Sequence, residues 1–133
     1  MKRTVLDRCV DFAIGMLTFA GAHAIEVAMW SAWFGGAHEP WFLNAGSAAG
    51  FTLACVFIAS GGMSIRNPSG RPRRGVTLAL GAIAAMTVVA FVKPGGPGTI
   101  FPIVWAVGGA FMLVSSMLGA WIGHEARGAV KGR

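Results

Sequence analysis

The chain has 133 residues, 55% of them hydrophobic, and a mean hydropathy of +0.65. That is too apolar for an ordinary soluble domain and short enough for a single membrane domain. The net charge of +6 would suggest nucleic acid in a soluble protein. Here the Lys and Arg residues flank apolar runs, so no nucleic-acid partner is expected and anionic lipid headgroups are the simpler one.

The expected fold is all-α, a bundle of four transmembrane helices over about residues 9–34, 43–65, 75–92 and 99–123. The amino terminus imitates a secretory signal, with Lys2 and Arg3, an apolar stretch and Ala22-His23-Ala24 as a cleavage-like triplet. Asp7 and Asp11 place acid where a signal has none, and apolar character continues through Val27, Met29, Trp30, Trp33 and Phe34. The segment is therefore read as a retained helix. At ~1.5 Å per residue, 9–34 crosses a ~30 Å hydrocarbon core with some tilt.

Gly35-Gly36 ends helix 1, and the loop 35–44 holds Pro40, His38 and Glu39 but no Lys or Arg. Trp41 and Phe42 suit the membrane interface. After helix 2 comes a proline-broken turn with Arg66, Arg71, Arg73 and Arg74, read as cytoplasmic and in contact with lipid headgroups. Helix 3, at 18 residues, spans ~27 Å and must stand nearly upright or thin the bilayer. The turn 93–98 is rich in Pro and Gly, Thr99 is a candidate N-cap, and Pro102 falls in a first turn that has no amide bond to lose.

Arg127, Lys131 and Arg133 close the chain. Three basic residues near the amino terminus, four in the arginine turn and three in the tail stand against Lys93 alone in the other loops. From Cys9 to Ile65 there is none. Cytoplasmic segments keep Lys and Arg, so both termini are placed in the cytoplasm of a bacterium, with the protein integral to its inner membrane.

Small residues recur every fourth position: Ala20, Ala24 and Ala28; Gly46, Gly50 and Ala54; Gly81 and Ala85; Ser115, Gly119 and Gly123. Such ridges let helix backbones approach closely in lipid. Packing within the bundle is the simpler use, and self-association or docking of another membrane subunit the other. Cys9 and Cys55 should lie at different depths and read as free thiols.

Glu26 is the principal functional candidate. Its short acidic side chain sits ~12 Å inside the outer end of helix 1, too deep to reach water easily. His23 lies three residues earlier on the same helical face. Three roles compete: a proton-coupled binding site, a metal site completed by His38 and Glu39 from the outer loop, or a structural clamp to a neighbouring helix or subunit. The clamp ranks first and metal last, and no metal is expected.

His23 is alone within a helix core, His38 belongs to the loop and His124 to the far end, so the chain cannot supply two axial haem ligands at one depth. No cofactor is expected of this chain alone; a haem or quinone shared with a partner subunit stays open. Trp30, Trp33, Trp41, Phe42, Phe91, Phe101 and Trp105 cluster toward the outer side, chiefly as interfacial anchors. The remaining reading is a quinone or lipid-tail groove between helices 1 and 4. Near the amino terminus, Arg3 with Asp7 and Arg8 with Asp11 have the spacing of solvated local pairs.

Phosphate loops, H-E-x-x-H, G-x-S-x-G and nucleophile triads are missing from the sequence, and no catalytic activity of its own is expected. The stretch Ala24-Ile25-Glu26-Val27 is similar to helix 1 of the small four-helix multidrug exporters, which also carry a membrane-embedded glutamate. Those exporters tend toward balanced loop charge, from which the ten-to-one bias here departs. The function expected first is an accessory subunit of a larger respiratory or transport-related membrane complex. The alternative is a small proton-coupled transporter using Glu26 with His23.

Overall fold

A computed structural model describes the backbone of residues 2–34, 41–66, 71–92 and 101–131, and the side chains of 5–29, 50–66, 73–92 and 102–130. These residues form four helices: α1 (Lys2–Phe34), α2 (Trp41–Arg66), α3 (Arg71–Val92) and α4 (Phe101–Lys131). Three contain spans long and apolar enough to cross a membrane, at Val5–Met29, Arg73–Val92 and Pro102–Val130. The described apolar part of α2, Gly50–Arg66, is shorter. His38, Glu39, the turn 93–98 and Thr99 lie outside the described residues.

The helices outrun their apolar stretches. α1 begins at Lys2 rather than near residue 9, α3 at Arg71 rather than 75, and α4 runs on to Lys131 rather than stopping at 123. Hydropathy marks where a chain leaves hydrocarbon, whereas the backbone ladder continues through Lys, Arg, Glu and Ala, all good helix formers. Pro72 is tolerated because it falls in the first turn of α3.

α4 and α2 pack in a register with a constant offset. Ser115 donates its hydroxyl to the Leu53 carbonyl at 2.9 Å, and twelve residues on Arg127 donates Nη1 to the Ile65 carbonyl at 3.1 Å, both 62 residues apart. Between them, Gly119 lies against the Phe57 carbonyl and Gly123 against that of Gly61, so a Cβ at either position would collide with backbone oxygen. Each step is one ridge of four residues, and the numbers rise together. The two helices are therefore parallel.

α1 and α3 cross closely where Gly15 lies against the backbone of Leu78 and Ala82 and Gly81 against that of Phe12 and Met16. The Asp11–Arg74 ion pair and the Gly15–Leu78 contact, both 63 residues apart, show their numbers rising together. These two helices are parallel as well. The four positions 67–70 between α2 and α3 extend at most ~14 Å, less than the length of either helix, so consecutive helices must reverse direction. Both chain ends and Arg66, Arg73 and Arg74 consequently lie at one end of the bundle.

Packing between α2 and α4 and between α1 and α3 is the most extensive, α3 also meets α4 and α1 meets α2, and α1 and α4 touch least of all. The buried core is small: Phe19, Val56, Leu78, Ala82, Ala85 and Met112. Among the described residues most large apolar side chains face outward, including Leu17, Ile58, Phe111 and Trp121. An outward apolar surface with small residues inside is what a hydrocarbon surrounding requires.

Candidate functional site

Among the helices lies a half-open cavity of about 510 Å³. α1 supplies Phe19, His23 and Glu26 to its wall, and α4 supplies Ile103, Val104, Val107, Gly108, Phe111 and Met112. Thr52 and Leu53 of α2 and Met86 of α3 complete it, so all four helices contribute. The size suits a small organic molecule, for which pockets run ~300–1,000 Å³.

His23 and Glu26 are the titratable members of the described wall. One helical turn brings His23 Nδ1 to 3.9 Å from Glu26 Oε2, beyond hydrogen-bond length but within ion-pair range, with the side chains 43% and 15% exposed. The His23 ring also stacks on Phe19, with centroids 6.1 Å apart and planes 12° from parallel, and this fixes one face of the imidazole. Among the described residues, no hydrogen bond or ion pair joins Glu26 to another helix. The pair is turned to the cavity.

A family model, a curated protein and a solved structure were each sought, and nothing matches. The site must be read from its own geometry.

The clamp between helices is built elsewhere. Asp11 on α1, 2% exposed, meets Arg74 on α3, 13% exposed, at 3.1 Å between Oδ2 and Nε. This corrects the local reading of Asp11 with Arg8: the close approach of α1 and α3 at Gly15 and Gly81 brings Arg74 inward instead. Arg74 is mostly buried on a protein carboxylate, unlike the exposed Arg66 and Arg73. The side chain of Arg71 lies outside the described residues. Asp11 Oδ1 has no hydrogen-bond partner among the described residues.

Arg74 is followed by Gly75, whose carbonyl accepts the Ser116 hydroxyl at 2.8 Å. The Ser116 carbonyl in turn accepts the Ser60 hydroxyl at 2.6 Å. Ser60 and Ser116 are 2% and 0% exposed. One polar tie thus joins α2, α4, α3 and α1 at the arginine end, below the cavity. Sequence reasoning passed over Ser60, Ser116 and Gly75 because isolated small residues in apolar helices carry no periodic signal.

The small-residue ridges divide into two groups. Gly81 and Ala85, and Ser115, Gly119 and Gly123, pack inside the bundle. Ala20, Ala24 and Ala28 on α1, and Gly50 and Ala54 on α2, are exposed. Of the aromatic residues, Trp105 is exposed and donates Nε1 to the Thr87 hydroxyl at 2.9 Å. The side chains of Trp30, Trp33, Trp41, Phe42 and Phe101 lie outside the described residues. Cys9 is exposed, Cys55 half-buried, and both are free thiols.

Proposed function

We propose that the protein is a small proton-linked transporter of the bacterial inner membrane, spanning it four times with both termini in the cytoplasm. Glu26 carries the exchanged proton and His23 is its partner. The observation that supports this reading is the placement of both side chains on a cavity walled by all four helices. The bundle's clamp is made by Asp11 and Arg74 instead. A membrane-embedded acid that makes no bond to another helix among the described residues is by default a functional one. The gathering of Arg66, Arg73, Arg74 and both chain ends at one end supports the orientation through the positive-inside rule.

The test is reconstitution in liposomes holding a trapped pH-sensitive dye, challenged with a panel of lipophilic amines and neutral lipophiles. The expected result is protein-dependent proton movement on adding at least one compound, lost in Glu26→Gln at unchanged protein abundance. No proton movement with any compound, or the same movement in Glu26→Gln, overturns the reading.

A second reading, the accessory subunit, is favoured by the exposed small residues Ala20, Ala24, Gly50 and Ala54. Ridges of this kind accept a neighbouring transmembrane helix. It predicts larger chains co-purifying in mild detergent, and a chain that emerges alone counts against it.

A further inference from the structure

We propose that the cavity takes a net-neutral amphiphile, with a carbonyl or hydroxyl head and a hydrocarbon tail, which enters sideways from the bilayer along the exposed flank of α4. This rests on the reading of the cavity as a ligand site and names the class of molecule it holds.

The route follows from the wall. Ile103, Val104, Val107 and Phe111 line the cavity and are 67%, 51%, 51% and 59% exposed. They run along nine residues of one α4 flank, ~12 Å of helix. The opening therefore follows this flank of α4 as a slot and is edged by hydrocarbon side chains. Toward the arginine end the Ser60–Ser116–Gly75 tie and the Asp11–Arg74 pair bind the four helices together. Among the described residues, a molecule already dissolved in lipid meets apolar side chains along this flank.

The head follows from charge balance. Glu26 and His23 stand 3.9 Å apart and are the titratable groups of the described wall. A proton moved from one to the other leaves their sum at zero. A neutral head completes that sum, whereas a fixed cation on Glu26 would face the histidine as well. In the neutral form each group offers one donor and one acceptor. At 3.9 Å they are too far apart to satisfy each other. A carbonyl or hydroxyl oxygen seated between them meets both. The remaining wall, including Phe19, Leu53, Met86 and Met112, suits the tail.

The experiment is calorimetric titration of the full chain in phospholipid nanodiscs with decyl-benzoquinone, empty nanodiscs serving as the blank. Decyltrimethylammonium, with the same tail and a fixed charge, is the comparison. The expected result is saturable, protein-dependent binding of the quinone and none of the cation. Gln offers a donor and an acceptor, so Glu26→Gln should keep quinone binding within about threefold. Glu26→Leu should weaken it about tenfold, the effect of one buried polar partner lost.

Gly108 lines the slot, and a Cβ there meets only Met86 Sδ at 3.7 Å, so Gly108→Leu fills the cavity from within. It should abolish binding. Val107→Trp, at an exposed position, fills the same slot if Gly108→Leu does not accumulate. Saturable binding of the cation that Glu26→Gln removes would make this an organic-cation site and overturn the proposal. So would quinone binding indifferent to both filling substitutions, or no saturable heat, as when phospholipid chains already occupy the slot. Quinone binding without Glu26-dependent proton flux would leave this inference standing and remove the transport reading.

Discussion

Asp11 Oδ2 lies 3.1 Å from Arg74 Nε across the α1–α3 interface, and both side chains are almost wholly withdrawn from the surface. Removing one partner takes away the opposite charge that the other meets across the interface. Asp11→Ala or Arg74→Ala is expected to cost ~3–5 kcal/mol, while an apolar pair of similar volume at both positions should restore most of it. Reversible unfolding in mixed detergent micelles measures each change. Additive losses in the double alanine variant would mean that the two groups do not act on each other.

Gly119 and Gly62 make a matched comparison on the two sides of α2–α4 packing. A Cβ at Gly119 runs into the Phe57 backbone, whereas a Cβ at Gly62 finds nothing within 4 Å. Gly119→Ala should cost ~1–3 kcal/mol by forcing the helices apart. Gly62→Ala should be neutral or slightly stabilising, since alanine favours helix more than glycine does. Equal stabilities of the two variants would mean that the parallel register is wrong.

Ser116 serves two helices at once, donating to Gly75 and accepting from Ser60 through its carbonyl. Ser116→Ala removes only the first bond and is expected to cost ~0.6 kcal/mol, the average for hydrogen bonds between helices in membranes. Ser60→Ala should cost a similar amount. A double variant losing much more than the sum would show that the tie acts as one unit, which the same unfolding assay reads directly.

Cys9 is exposed near the basic end of α1, and Cys55 is half-buried in the apolar part of α2. If that end faces the cytoplasm, a membrane-impermeant maleimide should label Cys9 in inverted vesicles and not in intact cells. Labelling from outside the cell would reverse the proposed orientation, and with it the side from which the arginine end is reached.

The existence of four helices was legible because each coincides with a long apolar run bounded by Gly, Pro or Arg. Their ends were not. Polar flanks such as 2–8 and 124–131 continue the helix without adding hydropathy. Glu26 and His23 stood out as polar residues among apolar ones, and the structure places them side by side on a cavity. The shift in their role came from Asp11, whose true partner is 63 positions away and invisible to any rule based on spacing along one helix. The ridge Ser115, Gly119 and Gly123 was readable as a packing surface, but its like on α1, Ala20, Ala24 and Ala28, faces outward. Periodicity alone cannot tell which ridge meets a neighbour.

The 62-residue offset between α2 and α4 also sets a schedule. At ~5–20 residues per second, a ribosome needs ~3–12 s to go from making Leu53 to making Ser115. Throughout that interval α2 lacks the glycine-bearing helix that is to cover its Gly61 face. Its first companions must be lipid, the insertion machinery or α1. A nascent chain stalled before α4 would therefore present an unpaired helix to the cell's quality control, and the last quarter of the gene decides whether the earlier part is kept.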